Sequence, residues 1–446
     1  MGRLFGTDGV RGVANRDLTP ELAFQLGRAG AAVLAGSGGR TRVLIGRDTR
    51  VSGEMLEAAL AAGIASVGAD VVLLGIIPTP GVAYLTRALR ADAAAMISAS
   101  HNPVPDNGIK FFAGDGFKLP DAVEDEIERL IGAPGDELPR PTGTAVGRMR
   151  EEPDAWRRYA EFLRATAPES LKGLRIVVDC AFGAAYQVAP TVLRELGAEV
   201  VALHDAPRGE RINVRCGSTD PRPLQEAVRE HRADLGLAHD GDADRVIAVD
   251  ERGEVVDGDH LMAVCALARL AEGTLPKKAI AATVYSNLGL RKALREAGGE
   301  VVVTPNGDRY VLEAMRREGL AIGGEQSGHI IFLEHNTTGD GILTALQVLG
   351  IMVRSGRSLG ALAAQMEKYP QILANVPVAA KDRLAESAAV QEAVAAAEEK
   401  LAGRGRIFVR ASGTENLVRV MAEGPDAGEL KRIVDEVSAV VERELG

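Results

Sequence analysis

Cysteine is scarce in this chain of 446 residues. Its three cysteines, Cys180, Cys216 and Cys265, stand far apart with no paired spacing. That excludes a disulfide-stapled scaffold and a zinc or dithiol motif, and it leaves free thiols in a reducing compartment as the expectation. Long apolar runs are missing as well. Nothing approaches the ~20 residues that span a bilayer, and the opening Met1-Gly2-Arg3-Leu4-Phe5-Gly6-Thr7-Asp8 has no apolar signal region. The expected location is therefore cytoplasmic, with no membrane partner. Basic tracts are absent too: 52 Lys and Arg are scattered among 62 Asp and Glu for a net charge of −10. This balance argues against nucleic acid as a partner, so an anionic ligand has to be held locally.

What is present is ordinary globular composition, 46% apolar and 26% charged residues, in a length that allows about three domains. Three segments repeat one another: Gly68-Ala69-Asp70-Val71-Val72, Gly197-Ala198-Glu199-Val200-Val201 and Gly298-Gly299-Glu300-Val301-Val302. Each follows an apolar strand pattern with a polar turn (43–48, 176–180, 279–284) and a helical pattern (53–67, 186–196, 290–297). A further helix and a short third strand come after. Continuous apolar strands alternating with helices predict mainly parallel sheets covered on both faces. Beyond residue 366 the pattern changes to a strand at 372–378, an Ala- and Glu-rich helix at 387–401, strands at 406–410 and 417–422, and an amphipathic helix at 427–445. The expected architecture is α/β: three similar α/β domains over 1–150, 151–254 and 255–367 plus a smaller C-terminal α+β domain over 368–446, arranged around a central cleft. Linkers are expected at 139–152 and 368–370.

In each α/β unit the third strand runs into a polar or Gly-rich loop, and open α/β sheets bind ligands beyond the carboxyl ends of their strands. The first loop is Ser98-Ala99-Ser100-His101-Asn102-Pro103. Pro103 biases Asn102 toward extended geometry, so the loop is expected to present Ser100 and His101. Taken alone, such a loop more often only caps and turns the backbone. The second, Asp240-Gly241-Asp242-Ala243-Asp244-Arg245, sets three carboxylates at alternate positions, which repel one another unless a cation lies among them. A solvated acidic turn is the plainer reading. A calcium helix-loop-helix site fails, because the flanks read as strands and Arg245 stands where the sharp turn needs Gly. Hard oxygen ligands with open positions suit magnesium sharing its shell with a phosphate. With the Ser100 hydroxyl this describes phosphoryl transfer, Ser100 carrying the group covalently while Lys110, Arg11 and Arg245 offset charge. Each of those cations alone reads more simply as a surface salt bridge.

The third loop, Gly324-Glu325-Gln326-Ser327-Gly328-His329, places a carboxylate, an amide and a hydroxyl between glycines. That composition suits gripping sugar hydroxyls, with His329 able to shuttle a proton; a simple Gly-rich turn is the alternative. Asn306-Gly307-Asp308-Arg309 is a second turn with the same ambiguity. In the last domain Arg410-Ala411-Ser412-Gly413-Thr414-Glu415-Asn416, with Arg419 on the next strand, describes a cradle for a phosphate monoester or a plain hairpin loop.

Together these stretches resemble the α-D-phosphohexomutase family over essentially the whole chain and in the family's order. Phe5-Gly6-Thr7-Asp8-Gly9-Val10-Arg11-Gly12 is similar to its N-terminal signature, residues 98–103 to its phosphoserine loop, 240–245 to its magnesium loop, 324–329 to its sugar loop and 410–419 to its phosphate-binding loop. Gln326, followed by Asn336-Thr337-Thr338-Gly339-Asp340-Gly341, resembles the glucosamine branch more than the glucose and mannose branch. Asn416 and Asn306 depart from the pattern, standing where Pro and Val are common. The resemblance implies an isomerase that interconverts glucosamine 6-phosphate and glucosamine 1-phosphate on the route to UDP-N-acetylglucosamine. It implies catalytic roles for Ser100, as a phosphoserine, and for His101, Lys110, Arg11, Arg245 and His329. Substrate binding falls to Gly307, Glu325, Ser327, Arg410, Ser412, Gly413, Thr414 and Arg419. One Mg2+ would be held by Asp240, Asp242, Asp244 and the Ser100 phosphate, with a hexosamine 1,6-bisphosphate as intermediate and activator. Turnover of glucose or mannose phosphates, or metal-dependent sugar phosphatase activity, are the alternatives. A non-catalytic sugar-phosphate sensor would not need Ser100 beside three Asp. The sequence leaves the oligomeric state open, a homodimer included.

Overall fold

The structure, a computed structural model, describes residues 3–6, 8–35, 40–167, 169–412 and 416–446. The chain forms two compact units, Met1–Tyr285 with Gly299–Gln365, and Ser286–Gly298 with Met366–Gly446.

Three sheets organise the first unit. The first contains β1 (Val10–Val13), β2 (Arg42–Arg47), β3 (Asp70–Ile76), β4 (Ala93–Ile97), β5 (Asp106–Ala113) and β6 (Met149–Glu151), in the order β1-β5-β4-β2-β3-β6. The second contains β7 (Arg175–Asp179), β8 (Glu199–Leu203), β9 (Leu235–His239), β10 (Val246–Asp250) and β11 (Val255–Val256), in the order β11-β10-β9-β7-β8. The third contains β12 (Ala279–Thr283), β13 (Glu300–Thr304), β14 (Ile322–Gly324) and β15 (Ile330–Phe332), in the order β13-β12-β14-β15. Each sheet has the expected parallel centre, then closes one side with an antiparallel return: β4 with β5, β9 with β10, β14 with β15. The loops 98–103, 240–245 and 324–329 are thus each the connection between a central strand and its return strand, at the carboxyl end of a parallel sheet.

Composition explains the burial of β4. β4 reads Ala-Ala-Ala-Met-Ile and is buried throughout, small side chains on both faces letting helices approach the sheet. The helix Pro20–Val33 starts with Thr19, whose side chain accepts the Leu22 amide, and with Pro at the first turn, the arrangement that satisfies an otherwise unpaired helix-end donor. Its Leu26 joins Leu56, Leu60 and Ile64 of the helix Ser52–Ser66 in a buried cluster with Val43 and Ile45. Each such side chain contributes about 1.5–3 kcal/mol on burial. The stretch 139–152, expected as a linker, ends in β6, which pairs in parallel with β3. All three β6 side chains are exposed, so no apolar alternation marks it in the sequence.

The second unit is a three-stranded antiparallel sheet of β16 (Gln371–Pro377), β17 (Arg406–Ala411) and β18 (Leu417–Glu423), ordered β16-β18-β17. Helices Ala388–Leu401 and Ala427–Leu445, capped by Ser387 and Asp426, cover it around Val418, Val420, Ile433 and Val437. The helix Leu288–Glu296 belongs to this unit: buried Glu423 accepts the Leu288 amide at 2.7 Å. Its 3.6-residue period reveals a helix but not the partner it packs on.

Candidate active site

Ser100 follows β4 and is held in the left-handed backbone region, φ +51°. Its amide donates to Ser98 Oγ at 2.9 Å, and its hydroxyl donates to Asp240 Oδ2 at 2.5 Å. The expectation of a presented serine meets a closed arrangement: Ser100 is 1% exposed, its hydroxyl aimed at the acidic loop. His101 Nδ1 lies 3.3 Å from Ser100 Oγ. Burial, then the charges of Arg245 and Arg11, lower the His101 pKa to about 4, so the ring is neutral at neutral pH.

The acidic loop joins β9 to β10, a hairpin, which also excludes the helix-loop-helix alternative. Gly241 is needed there, since a Cβ would meet Ser100 O at 2.6 Å; the two loops touch backbone to backbone. Ligand oxygens of Asp240, Asp242 and Asp244 lie within 4.8 Å of one another, all buried. Asp242 Oδ2 accepts Thr79 Oγ1 at 2.6 Å and Lys110 Nζ at 3.1 Å. Burial works against its charge, but Lys110 overrides it and holds the carboxyl below its ordinary range. Asp240 goes the other way, raised well above that range by burial and by Asp244 and Asp242. Asp242 Oδ1 and Asp244 Oδ1 are buried with no hydrogen-bond partner among the described residues. Crowded carboxylates with unpartnered inward oxygens are a donor set that fits a hard divalent cation. A second cluster, Asp179, His204 and Cys216, shows the contrast. Asp179 is already engaged by the Ala181 and Gly217 amides and by His204 Nδ1, at 2.9, 2.9 and 3.0 Å. That group braces loops of the second domain.

Cations ring the triad. Lys110, on β5 and 2% exposed, lies 3.1 Å from both Asp242 Oδ2 and Asp8 Oδ2 and 3.9 Å from Asp244 Oδ2. Burial would discharge it, but Asp242 and Asp8 raise its pKa above the ordinary lysine value. β1 brings the N-terminal segment alongside, Arg11 opposite Gly108 on β5, and Arg11 pairs with Asp8 and reaches Asn102 Oδ1 at 3.5 Å. The Arg245 amide donates to Asp240 Oδ1 at 3.3 Å, and its guanidinium lies 3.8 Å from Asp244.

The third domain's loop closes on the second's. Val246 N donates to Gly328 O at 3.1 Å, an approach only glycine permits: Gly328 has φ +91° and a Cβ there would meet Val246 O at 2.1 Å. His329, 3% exposed, puts Nε2 3.7 Å from Asp308 and 3.9 Å from Asp244. Neither ring nitrogen has a hydrogen-bond partner among the described residues. Glu325 and Ser327 stay partly exposed on this loop, Ser327 Oγ donating to Glu325 Oε2 at 3.3 Å. Gly307, at φ +126°, caps the helix Asp308–Glu318.

Four domain profiles of one family match in order: Phosphoglucomutase/phosphomannomutase alpha/beta/alpha domain I over residues 2–136, domain II over 157–253, domain III over 257–369 and the C-terminal domain over 373–440. The chain belongs to this family. It is 61% identical over 434 residues to the phosphoglucosamine mutase of Moorella thermoacetica, covering 97% of this chain and 98% of the relative. A phosphoglucomutase/phosphomannomutase family protein from Burkholderia thailandensis superposes with a TM-score of 0.82 at 24% identity, over 99% of this chain and 97% of that one. The Aspergillus fumigatus N-acetylphosphoglucosamine mutase, solved with GlcNAc-6P and magnesium, gives 0.65 at 22% identity, over 94% and 99%. As a phosphohexomutase the chain is an isomerase that transfers phosphate intramolecularly.

Within this phosphohexomutase the structure brings Ser100, His101, Arg11, Lys110, the three Asp, Arg245 and His329 into one connected cluster. Arg410, Ser412 and Arg419 lie in the second unit, Arg410 directly across the β17–β18 ladder from Arg419; Gly413 and Thr414 lie outside the described residues. Sequence reasoning missed Thr79, Asp8 as a ligand of Lys110, and Lys118, whose Nζ lies 2.6 Å from Asp8 and 2.5 Å from Asp308. It also missed Lys381, donating to Ser412 O at 3.0 Å. Single polar residues in ordinary contexts gave no signal for these. Asp48 and Arg50 were findable, since they stand at the carboxyl end of β2. The segment 336–341 fastens domains together: Asn336 Nδ2 donates to Pro80 O at 3.1 Å and Thr337 Oγ1 to Gly116 O at 2.6 Å.

Proposed function

We propose that this phosphohexomutase interconverts glucosamine 6-phosphate and glucosamine 1-phosphate with Ser100 as the carrier of the phosphoryl group. The observation that supports it most is Ser100 Oγ at 2.5 Å from Asp240, in a chain 61% identical to a phosphoglucosamine mutase. Phosphorylated Ser100 gives its phosphoryl group to the free hydroxyl of the hexosamine monophosphate. The P–Oγ bond breaks and Oγ takes up a proton, while a bond to O1 or O6 forms and the hydroxyl proton leaves to a base, giving the 1,6-bisphosphate. After the bisphosphate turns around, Ser100 Oγ loses that proton and takes the other phosphate; the P–O bond to the sugar breaks, and the freed sugar oxygen takes back a proton from the base.

Roles follow from placement. His101, neutral and beside Oγ, takes the Ser100 proton, and His329, whose ring nitrogens have no hydrogen-bond partner among the described residues, serves the sugar hydroxyl. Lys110, Arg11 and Arg245 balance phosphate charge. Glu325 and Ser327 hold sugar hydroxyls, with Gly307 on the neighbouring turn. Arg410, Ser412, Gly413, Thr414 and Arg419 hold the phosphate that is not being transferred. Mg2+ bound by Asp240, Asp242 and Asp244, with the Ser100 phosphate as a further ligand, would neutralise phosphate oxygens. The bisphosphate doubles as the activator that primes Ser100, and a metabolite substrate with three free cysteines fits the cytoplasm.

Ser100→Ala tests the reading: a folded protein whose mutase activity is lost by several orders of magnitude is expected. Near-native turnover in that variant would remove Ser100 as carrier. Wild type assayed side by side on the 6-phosphates of glucosamine, glucose, mannose and N-acetylglucosamine should favour glucosamine. Free phosphate as the main product would make the protein a phosphatase instead.

A further inference from the structure

Arg50 takes no part in the chemistry above, yet among the described residues it is the largest fully buried side chain. Its five N–H groups are all spent on one loop and one carboxylate. Nη2 donates to Ser100 O at 3.0 Å and Asn102 O at 2.8 Å, and Nη1 to Pro103 O at 2.6 Å and Asp106 O at 3.0 Å. Nε donates to Asp48 Oδ2 at 3.0 Å. Asp48 in turn accepts Ser98 Oγ at 2.6 Å, and Ser98 Oγ accepts the Ser100 amide at 2.9 Å. From the second domain, Asn213 Nδ2 adds a bond to Ser100 O at 2.8 Å. Ser100 is thus gripped on both its carbonyl and its amide while its backbone sits at φ +51°, a conformation that a non-glycine residue keeps only when its surroundings impose it.

We propose that Arg50 is a positioning residue for phosphoryl transfer, fixing through the loop carbonyls the direction in which Ser100 Oγ points. The proposal rests on Ser100 being the carrier. Oγ has to meet O1 in one half-reaction and O6 in the other, so the substrate reorients and the serine must not. Transfer needs reacting atoms about 3–3.5 Å apart and aligned, and a loop free to relax from the left-handed conformation swings Oγ off that line. Lysine cannot substitute, because three donors on one point cannot serve carbonyls spread around a planar fork. A purely structural role has a different signature. An unfolded fraction lowers every rate together, whereas a mis-aimed phosphoserine changes where its phosphate goes, more of it being lost to water when the acceptor hydroxyl is out of line.

The experiment compares wild type, Arg50→Lys and Ser98→Ala with glucosamine 6-phosphate and the bisphosphate activator, measuring kcat, KM and free phosphate released per sugar isomerised. Arg50→Lys should lose on the order of 100-fold in kcat with KM unchanged, and its ratio of phosphate to isomer should rise. Ser98→Ala, which removes one hydroxyl, should shift the same ratio less and carries the test alone if Arg50→Lys fails to fold. The proposal is overturned if the folded variants keep the wild-type ratio, with any loss of activity matching the unfolded fraction seen by circular dichroism. That outcome differs from failure of the carrier assignment, in which Ser100→Ala itself stays active.

Discussion

Lys118 Nζ lies 2.5 Å from Asp308 Oδ2, so one ammonium from the loop after β5 joins the first domain to the helix start of the third. Burial opposes its charge, but Asp308 and Asp8 more than offset that and hold its pKa above the ordinary lysine value. Lys118→Met leaves Asp308 without this cation. The expected loss is about 1.5–3 kcal/mol, the range for a hydrogen bond to a charged group, read as a fall in the denaturant midpoint. Lys118→Arg should keep most of it. An unchanged midpoint in Lys118→Met would mean that the bridge adds nothing to the union of the two domains.

The acidic triad depends on a residue outside it. Thr79 Oγ1 donates to Asp242 Oδ2 at 2.6 Å and the Thr79 amide to Asp242 O at 3.0 Å, fixing which oxygen is left for a metal. Thr79→Val keeps the shape and removes the hydroxyl. Mg2+ affinity by calorimetry should fall roughly 10–100-fold, the usual effect of losing a partner that orients a ligand. Chelation should abolish turnover in wild type and Mg2+ restore it, with Ca2+ binding but supporting little. Wild-type Mg2+ affinity in Thr79→Val would show that Asp242 needs no such support.

Much of this was readable beforehand, for a physical reason. The repeated strand–helix–strand pattern and the three loops are local features, and the parallel-sheet rule turns them into a spatial statement. Hence Ser100, Asp240, Asp242 and Asp244 could be named together although Ser100 and Asp240 are 140 positions apart. What stayed hidden depends on register and side-chain reach. Asp8 meets Lys110 only because β1 pairs with β5, and no pattern in the 10–13 segment predicts its partner strand. The burial of Ser100 follows from the closeness of the Gly241 loop, a tertiary contact absent from the sequence. The helix 288–296 had the right period, but the chain's third repeat gives no sign that its partner is the last domain.

His239 ends β9, is 1% exposed and holds Nδ1 at 3.1 Å from Arg245 O. Burial lowers its pKa to about 4, despite the hydrogen bond to Arg245 and the charge of Asp179. Its unfolded value is about 6.5, so between those two pH values the unfolded chain binds the extra proton and the folded one does not. Stability therefore falls as pH drops from about 6.5 toward 4, by at most about 3 kcal/mol from this residue, and is unaffected by it above that window. His239→Gln should flatten that part of the stability–pH curve. Denaturant unfolding at several pH values checks this, and parallel curves for both proteins would count against it.

Arg410 and Arg419 face one another across the β17–β18 ladder. Two guanidiniums at facing positions on neighbouring strands suit a bidentate grip on one phosphate. Lys381, donating to Ser412 O at 3.0 Å, adds a third cation beside the same loop. Charge-assisted bonds to phosphate are worth about 1.5–3 kcal/mol each, and 1.36 kcal/mol is tenfold in rate. Arg410→Ala should therefore lower kcat/KM by roughly one to two orders of magnitude. Denaturant unfolding of the variant beside wild type separates a lost grip from a damaged domain. Glucosamine without its phosphate should be a negligible substrate for both proteins. Because the non-reacting phosphate is the 6-phosphate in one direction and the 1-phosphate in the other, a single shared cradle requires equal losses with both isomers. A loss confined to one isomer would mean that the two orientations of the sugar use different grips, and the cradle assigned to Arg410 and Arg419 would serve only one of them.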